Sequence, residues 1–463
     1  MTLEESLAEI ERLRKQIKDL QEENAALRLD FKKRDEELQK VLKRLEELER
    51  EAARQAAPFR RREAQKVKSE DKKKPGRKAG HRGFYRPEPM HVDRHVEVEL
   101  DSCPHCQGPV TQPRSLTQFI EEIPPIRPIV TRLVTWSGKC AKCGEVHSTH
   151  PLQTSRAQGA AGSLLGPRAA AFAVLLNKHY GVTLRKTCKI FKQGFGLSLT
   201  SGGLTHLLAR AAKKMKSQYD QLIEEIRDSR AVYADETSWF VGRAGYWLWV
   251  FTTPEATLYH VASSRGHPIA RQILGEEFKN VLISDCAPIY DKFGCPQHKC
   301  IAHHQKVIKQ QRELPSTHDP TFLNECARFF EDVVTLAHAR DKISSEDFAA
   351  RHIALKESCD RLLARDVAQP GDRKIQNRMK RCGEALLGCL KHAVDPTNNR
   401  AERALRPAVI SRKVSCGNKT EKGARTWEIL TSLSATAQQR GEDFLEKVSQ
   451  SIRLPATPPV PVG

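Results

Sequence analysis

Tyr233-Ala234-Asp235-Glu236-Thr237, Ile283-Ser284-Asp285-Cys286 and Asn398-Asn399-Arg400-Ala401-Glu402-Arg403 decide how this chain is read. In the first two, an acid closes a β-branched or aromatic run, where a strand delivers it to the edge of a sheet. The third sets a glutamate in an Arg-rich helical pattern after a long intervening segment. Asp235 and Asp285 on strands and Glu402 on a later helix are the ligand supply for two Mg²⁺ (or Mn²⁺) ions. Such a pair, about 3.5–4 Å apart, clamps the attacking and leaving oxygens of an in-line phosphoryl displacement.

Outward from Asp235 the pattern is that of strands. Residues 231–235 form the first, and 246–251 and 256–261 pair as a hairpin turning at Thr253-Pro254-Glu255. A helix around 268–278 leads to a further strand at 281–285. Three antiparallel strands, a helix and a parallel strand are the ribonuclease-H-like order, in which the first and fourth strands adjoin and bring Asp235 to Asp285. A lone Asp reads as a turn or a helix cap. Two of them closing two adjoining strands do not. Residues 305–392 are polar, charged and helical in spacing, an insertion before the last element. Asp395-Pro396-Thr397-Asn398-Asn399 then caps a helix carrying Glu402, Arg403, Arg406, Arg412 and Lys413. Glu402, Arg406 and Lys413 fall near one face, as a salt bridge or as a metal ligand beside phosphate-binding cations.

Lys+Arg outnumber Asp+Glu by 77 to 57 in 463 residues, a formal +20 with a pI near 9.5. That length implies more than one core. The basic excess suits a polyanion, because each neutralised phosphate releases condensed counterions. No apolar run approaches the roughly 20 residues of a spanning helix and the N-terminus is Glu-rich, so nucleic acid is preferred to membrane and an intracellular location is expected. Of 13 cysteines, four form two C-x-x-C pairs, which points to a metal site and buried thiols rather than a disulfide framework.

Residues 3–50 keep a heptad with Leu3, Ile10, Ile17, Asn24, Phe31, Leu38 and Leu45 at a, and Ser6, Leu13, Leu20, Leu27, Arg34, Val41 and Leu48 at d. A lone Asn at a fixes register and favours a parallel dimer, so a homodimer or higher oligomer is expected. From Arg60 to Arg86 the chain is basic and Gly/Pro-punctuated, centred on Lys72-Lys73-Lys74-Pro75-Gly76-Arg77-Lys78. Either its Arg reads a narrow minor groove, or the stretch is a solvated linker touching phosphates. Cys103-Pro104-His105-Cys106 and Cys140-Ala141-Lys142-Cys143, with strand-like sequence at 117–136 between them, match a structural Cys₄ Zn²⁺ ribbon. Residues 184–195 and a helix restarting at Leu199-Thr200-Ser201 resemble a helix-turn-helix, whose second helix presents His206 and Arg210. It either reads DNA or only packs.

The Asp-Glu-Thr strand end, Asp285 with Tyr290 after it, Cys300-Ile301-Ala302-His303 and Asn398-Asn399-Arg400-Ala401-Glu402-Arg403-Ala404-Leu405-Arg406-Pro407 resemble the large transposase of the insertion-sequence 66 family. The resemblance implies that Asp235, Asp285 and Glu402 are the DDE triad of a cut-and-join transposase. It implies metal-dependent cleavage at insertion-sequence ends, then 3′-OH attack on target DNA, with terminal inverted repeats and target DNA as partners. Small accessory proteins of the same element and a bacterial, nucleoid-associated cytoplasmic setting are implied too. The alternative is a non-catalytic zinc-ribbon DNA-binding regulator derived from a transposase. The expected architecture is multidomain α+β. It comprises a coiled-coil dimerisation segment (1–57), a basic linker (58–95), a Cys₄ zinc ribbon (96–152) and a helical DNA-binding segment (160–228). A ribonuclease-H-like core (229–440, insertion 305–392) and a C-terminal tail (441–463) complete it.

Overall fold

A computed structural model describes residues 15, 17–18, 21–25, 27–42, 44–45, 80, 86–112, 114–156, 164–314 and 319–456. Two units are distinguished, Met1–Glu121 and Glu122–Gly463. In the first, the described residues between 15 and 45 are helical and leave Leu27, Phe31, Leu38 and Val41 exposed. Heptad positions Leu3, Ser6, Ile10, Leu13, Leu20 and Leu48, and Lys72, Lys73, Lys74, Arg77 and Lys78 of the basic stretch, lie outside the described residues. Cys103 and Cys106 occupy a tight turn, closed by the Gln107 N–H on the Cys103 carbonyl (2.8 Å) and the Cys103 N–H on the Gly108 carbonyl (2.9 Å).

The second unit opens with a short antiparallel hairpin, β1 (Ser137–Cys140) and β2 (Gly144–His147), that carries Cys140 and Cys143 at its turn. The strands expected at 117–136 are not found among the described residues. Pro124, Pro125 and Pro128 interrupt that apolar run, and each removes an N–H that a ladder would need.

Four helices follow: α1 (Pro167–Val174), running on into a π-turn at Leu175–His179, then α2 (Leu184–Phe195), α3 (Ser201–Lys214) and α4 (Lys216–Asp228). Pro167 opens α1 at a position whose N–H is unneeded. Gly196, at φ +67°, ends α2 in the left-handed region open to glycine. The Thr200 hydroxyl caps α3 by accepting the Gly203 N–H at 3.0 Å, an interaction of about 1 kcal/mol. Leu204, Leu207, Leu208 and Ala211 form the buried stripe of α3, and His206 and Arg210 lie on its exposed side.

A five-stranded sheet forms the centre, from β3 (Ala231–Val241), β4 (Ala244–Thr252), β5 (Thr257–Ala262), β6 (Val281–Ser284) and β7 (Gln297–Lys299), with α5 (His267–Leu274) between β5 and β6. Its order is β5-β4-β3-β6-β7; β3, β4 and β5 are antiparallel neighbours, while β6 and β7 run parallel to β3. This mixed α/β arrangement is compatible with a ribonuclease-H-like core. Strand alternation splits the sheet between two cores. Val232, Ala234, Trp249, Phe251, Leu258 and Leu282 join the core that includes α1, α3, α4 and α5. Tyr233, Leu248, Val250, Tyr259 and Ile283 face Ala401, Leu405 and Ala408 of α11 (Asn399–Ser415).

Between β7 and α11 lie α6 (Ile301–Arg312), α7 (Thr321–Ala339), α8 (Ser345–Ala364), α9 (Pro370–Cys382) and α10 (Gly388–His392). The insertion is helical as expected, begins at Ile301 rather than 305, and has its own core around Leu323, Phe330, Val333, Ile375 and Met379. After α12 (Glu421–Arg440), the expected tail contains α13 (Phe444–Ile452), capped by Asp443, with Phe444, Val448 and Ile452 buried. No helix among the described residues is long and apolar enough to cross a membrane.

Candidate active site at the ends of two parallel strands

The parallel register pairs Tyr233 of β3 with Ile283 of β6. Asp235 and Asp285 each lie two residues further on, so they project on the same face at the same end of adjoining strands. Glu402 occupies the first turn of α11, the helix packed over that face. All three are half-buried, shielded yet reachable. The start of α11 is tied down locally: Asn398 donates its amide Nδ2–H to the Ala234 carbonyl (2.9 Å) and its backbone N–H to the Cys300 Sγ (3.1 Å). Asn398 is fully buried and stands between the residue before Asp235 and the helix carrying Glu402.

Neighbouring Glu236 faces the other way. Its Oε2 accepts the Tyr290 hydroxyl at 2.6 Å, and its Oε1 accepts the Arg265 Nε–H at 2.8 Å. Arg265 also stacks on Trp247, 4.8 Å from the ring centre. Glu236 is therefore satisfied within the fold. Among the described residues, Asp235 has only the Glu236 backbone N–H on its Oδ1 (2.9 Å), and burial, with the charges of Glu236, Asp285 and Glu402, pushes its carboxyl well above the usual carboxylate range. The Asp285 Oδ1 accepts the Ala287 N–H at 2.8 Å, which orients that carboxylate.

Those repelling carboxylates are a donor set that a hard divalent cation would relieve, and the orphaned buried Oδ1 of Asn398 and Nδ1 of His303 lie at the same place. The residues fit a Mg²⁺ or Mn²⁺ pair. Two groups of three His, Cys or carboxylate donors lie within 4.8 Å of one another among the described residues. One is Cys300, His303 and Glu402; the other is Cys286, His304 and Cys382. Asp235, Asp285 and Glu402 do not form such a group among the described residues.

His303 Nδ1 stands 3.7 Å from Glu402 Oε1. From sequence, Cys300 and His303 are at most part of a metal chelate shared with Cys295 and His298, and Asn398 and Tyr290 have no site role. The C-x-x-H spacing, which puts Cys300 and His303 one helical turn apart as α6 begins, was the available signal. Cys295 and His298 do not join them. The His298 ring is engaged by backbone, its Nε2 3.0 Å from the Pro396 carbonyl and its Nδ1 accepting the Cys389 N–H at 3.1 Å. In each knuckle, backbone N–H groups lower the first thiol: those of His105 and Cys106 act on Cys103, those of Cys143 and Lys142 on Cys140.

Arg403, Arg406 and Lys413 of α11 are exposed. Arg412 differs: its guanidinium donates to the Thr237 hydroxyl (3.2 Å), the Ser238 hydroxyl (2.7 Å) and the Ser238 carbonyl, which commits it to the end of β3.

Two curated relatives come from Sinorhizobium fredii, both described as uncharacterized proteins. The chain is similar to y4qI, at 23% identity over 56% of this chain and 53% of that protein. It is also similar to y4jD, at 24% identity over 77% of this chain and 75% of that protein. The chain thus spans about half the length of the first and three quarters of the second. A family model described as "Transposase IS66 family" matches residues 162–426, more than half of the chain, from the helices before the sheet to the first turns of α12. The chain belongs to the IS66 family of transposases.

Proposed function

We propose that this chain cleaves DNA at the ends of an insertion sequence and joins the freed 3′-OH to target DNA, using a ribonuclease-H-like core. The observation that carries the reading is the placement of Asp235 and Asp285 at adjoining strand ends under Glu402. Asp235, Asp285 and Glu402 would hold two Mg²⁺ or Mn²⁺ ions. Such ions, when bound, stabilise charge on the attacking and leaving oxygens. Asn398 holds the Glu402 helix in register with the Asp235 strand. Tyr290 and Arg265 hold the Glu236 carboxylate by hydrogen bonds, so it is engaged within the fold. Exposed Arg403, Arg406 and Lys413 are placed to take flanking phosphates.

The remaining segments serve DNA engagement and assembly on this reading. The N-terminal helix, with Leu27, Phe31, Leu38 and Val41 exposed, pairs with a second copy. Cys103, Cys106, Cys140 and Cys143 hold one structural Zn²⁺. The basic stretch around Lys72, Lys73, Lys74, Arg77 and Lys78 adds sequence-independent affinity, and His206 and Arg210 of α3 discriminate terminal repeats. Small proteins of the same element assist, in the bacterial cytoplasm. The deciding experiment is nicking of terminal-repeat DNA with and without Mg²⁺, by the wild type and by Asp235→Asn, Asp285→Asn and Glu402→Gln. Each substitution should abolish nicking and leave DNA binding in place. Metal-independent or undiminished cleavage would remove the residue concerned from the triad. Binding with no nicking by any form would favour a DNA-binding regulator.

A further inference from the structure

Apart from the carboxylates and the C-x-x-C knuckles, one fully buried cluster of metal-ligating side chains is found among the described residues. Cys286, His304 and Cys382 bring one Sγ, one imidazole nitrogen and a second Sγ within 4.8 Å of one another. The Cys286 Sγ lies 3.1 Å from the His304 Nε2. All three are buried, at 4%, 1% and 7% exposure. They come from three places in the chain: the loop leaving β6 immediately after Asp285, the first turns of α6, and the last residue of α9.

We propose that Cys286, His304 and Cys382 form a Zn²⁺ site that pins the helical insertion to the strand end bearing Asp285. The donor chemistry is that of zinc, two thiolates and one imidazole; the harder Mg²⁺ would not choose it. The spacing suits it too. Tetrahedral bonds of about 2.0–2.3 Å hold donors about 3.3–3.8 Å apart; the Cys286–His304 pair stands at 3.1 Å and no pair exceeds 4.8 Å, so closing on an ion takes shifts of about 1 Å at most. The charges agree: two thiolates neutralise the ion, so the nearby Arg378 guanidinium faces a net neutral centre. On binding, each thiol yields its proton to solvent.

The surroundings are built for a rigid joint. The His304 ring stacks on Phe330 of α7, with ring centres 4.8 Å apart at 19°. Arg381, beside Cys382, donates to the Cys286 carbonyl at 2.6 Å and reaches Asp291 at 3.5 Å. The end of α9 therefore already grips the loop after Asp285 by its backbone, and the cation adds the side-chain half of that grip.

The proposed knuckle zinc must be separated from this one. The full-length chain is purified under reducing conditions with Cys103, Cys106, Cys140 and Cys143 all changed to Ser, which leaves the buried cluster untouched. Tryptophan fluorescence verifies that the sheet is folded. This variant should retain one Zn²⁺ per chain by elemental analysis. Exchanged with Co²⁺, it should show thiolate-to-cobalt charge transfer and the visible bands of a tetrahedral ion. Adding Cys382→Ser or His304→Ala should take the count to zero. A folded knuckle variant without zinc and without a cobalt spectrum overturns the site. So does an intact mass lighter by two hydrogens with alkylation blocked at Cys286 and Cys382, which would make the pair a disulfide. Retention of the zinc in the Cys382→Ser or His304→Ala form overturns it equally.

Discussion

His298 should make the catalytic unit acid-sensitive. It is fully buried in β7 and clasps two segments that flank the insertion's exit. The Pro396 carbonyl takes a proton from Nε2; Nδ1 meets both the Cys389 N–H, which wants its lone pair, at 3.1 Å and the Ala385 carbonyl at 3.2 Å, and burial, the largest influence, decides for the neutral Nε2–H form. Burial pushes its pKa from 6.5 down to about 4. Because the folded state resists the proton that the unfolded state accepts, stability is full above pH 6.5 and falls as pH drops toward 4. Linkage puts the loss at about 2 kcal/mol near pH 5 and about 3 kcal/mol near pH 4.

The perturbation is His298→Gln. The amide can still donate to Pro396, but its oxygen sits farther along the side chain than Nδ1 and leaves the Cys389 N–H without an acceptor where it now has one, a cost of about 1–3 kcal/mol at neutral pH. It has no proton to gain, so the wild-type and variant stabilities should converge as pH falls to about 4. Urea unfolding followed by tryptophan fluorescence measures this, since Trp239, Trp249 and Trp427 are buried in the two sheet cores. Burial also lowers His304, but that loss is common to both proteins. Parallel pH curves for the two would show that His298 is not the proton-linked group.

Tyr290→Phe should cost about 1–3 kcal/mol, because Glu236 loses a buried donor, yet leave metal-dependent nicking measurable in urea-free assays. Loss of nicking with stability unchanged would place Tyr290 in the chemistry instead. Gly388→Ala should be among the most damaging single changes: a Cβ there would stand 2.2 Å from the Gln297 carbonyl oxygen and 3.0 Å from the His298 Cα. Neither backbone atom can rotate away, so about 3 kcal/mol or more should be lost, read as the shift in urea midpoint. Replacing Arg403, Arg406 and Lys413 by Gln should flatten the salt dependence of DNA binding by roughly one unit of slope per phosphate contact, with sequence preference kept. Replacing His206 and Arg210 should instead narrow the gap between terminal-repeat and random DNA, and the opposite pattern would move specificity to α11.

The strands were legible where short-range pattern and burial coincide. Residues 231–235 alternate against two cores, and the hairpin at Thr253-Pro254-Glu255 closes with the Thr253 N–H on the Ala256 carbonyl, so adjacency of the Asp235 and Asp285 strands followed from their order. Residues 117–136 misled because β-branched content says nothing of a partner, and three prolines deny the run its ladder. Residues 444–452 read as a tail because nine residues offer little periodicity; their helix is decided by Phe444, Val448 and Ile452 entering a core built mostly from residues far earlier in the chain. Arg412 read as a phosphate ligand from charge alone, while its hydrogen bonds run to Thr237 and Ser238 on a strand about 175 residues away.

The site divides along the same line. Strand alternation says that Asp235 and Glu236 point opposite ways, but not which of the two is left without a side-chain partner. That depends on Arg265 and Tyr290, 29 and 54 residues downstream, meeting on one side of the sheet, and on Asn398 arriving at the other. Two adjacent acids of nearly equal intrinsic acidity thus take different roles because one face brings a cation and a phenol, and the other brings two more carboxylates. Exchanging them tests this directly. Asp235→Asn should relieve the carboxylate repulsion, so the fold should hold or gain stability while nicking disappears. Glu236→Gln should lose the Arg265 ion pair and destabilise, while nicking at low temperature persists. A Glu236→Gln chain that is fully stable but cannot nick would reverse the assignment of the two acids.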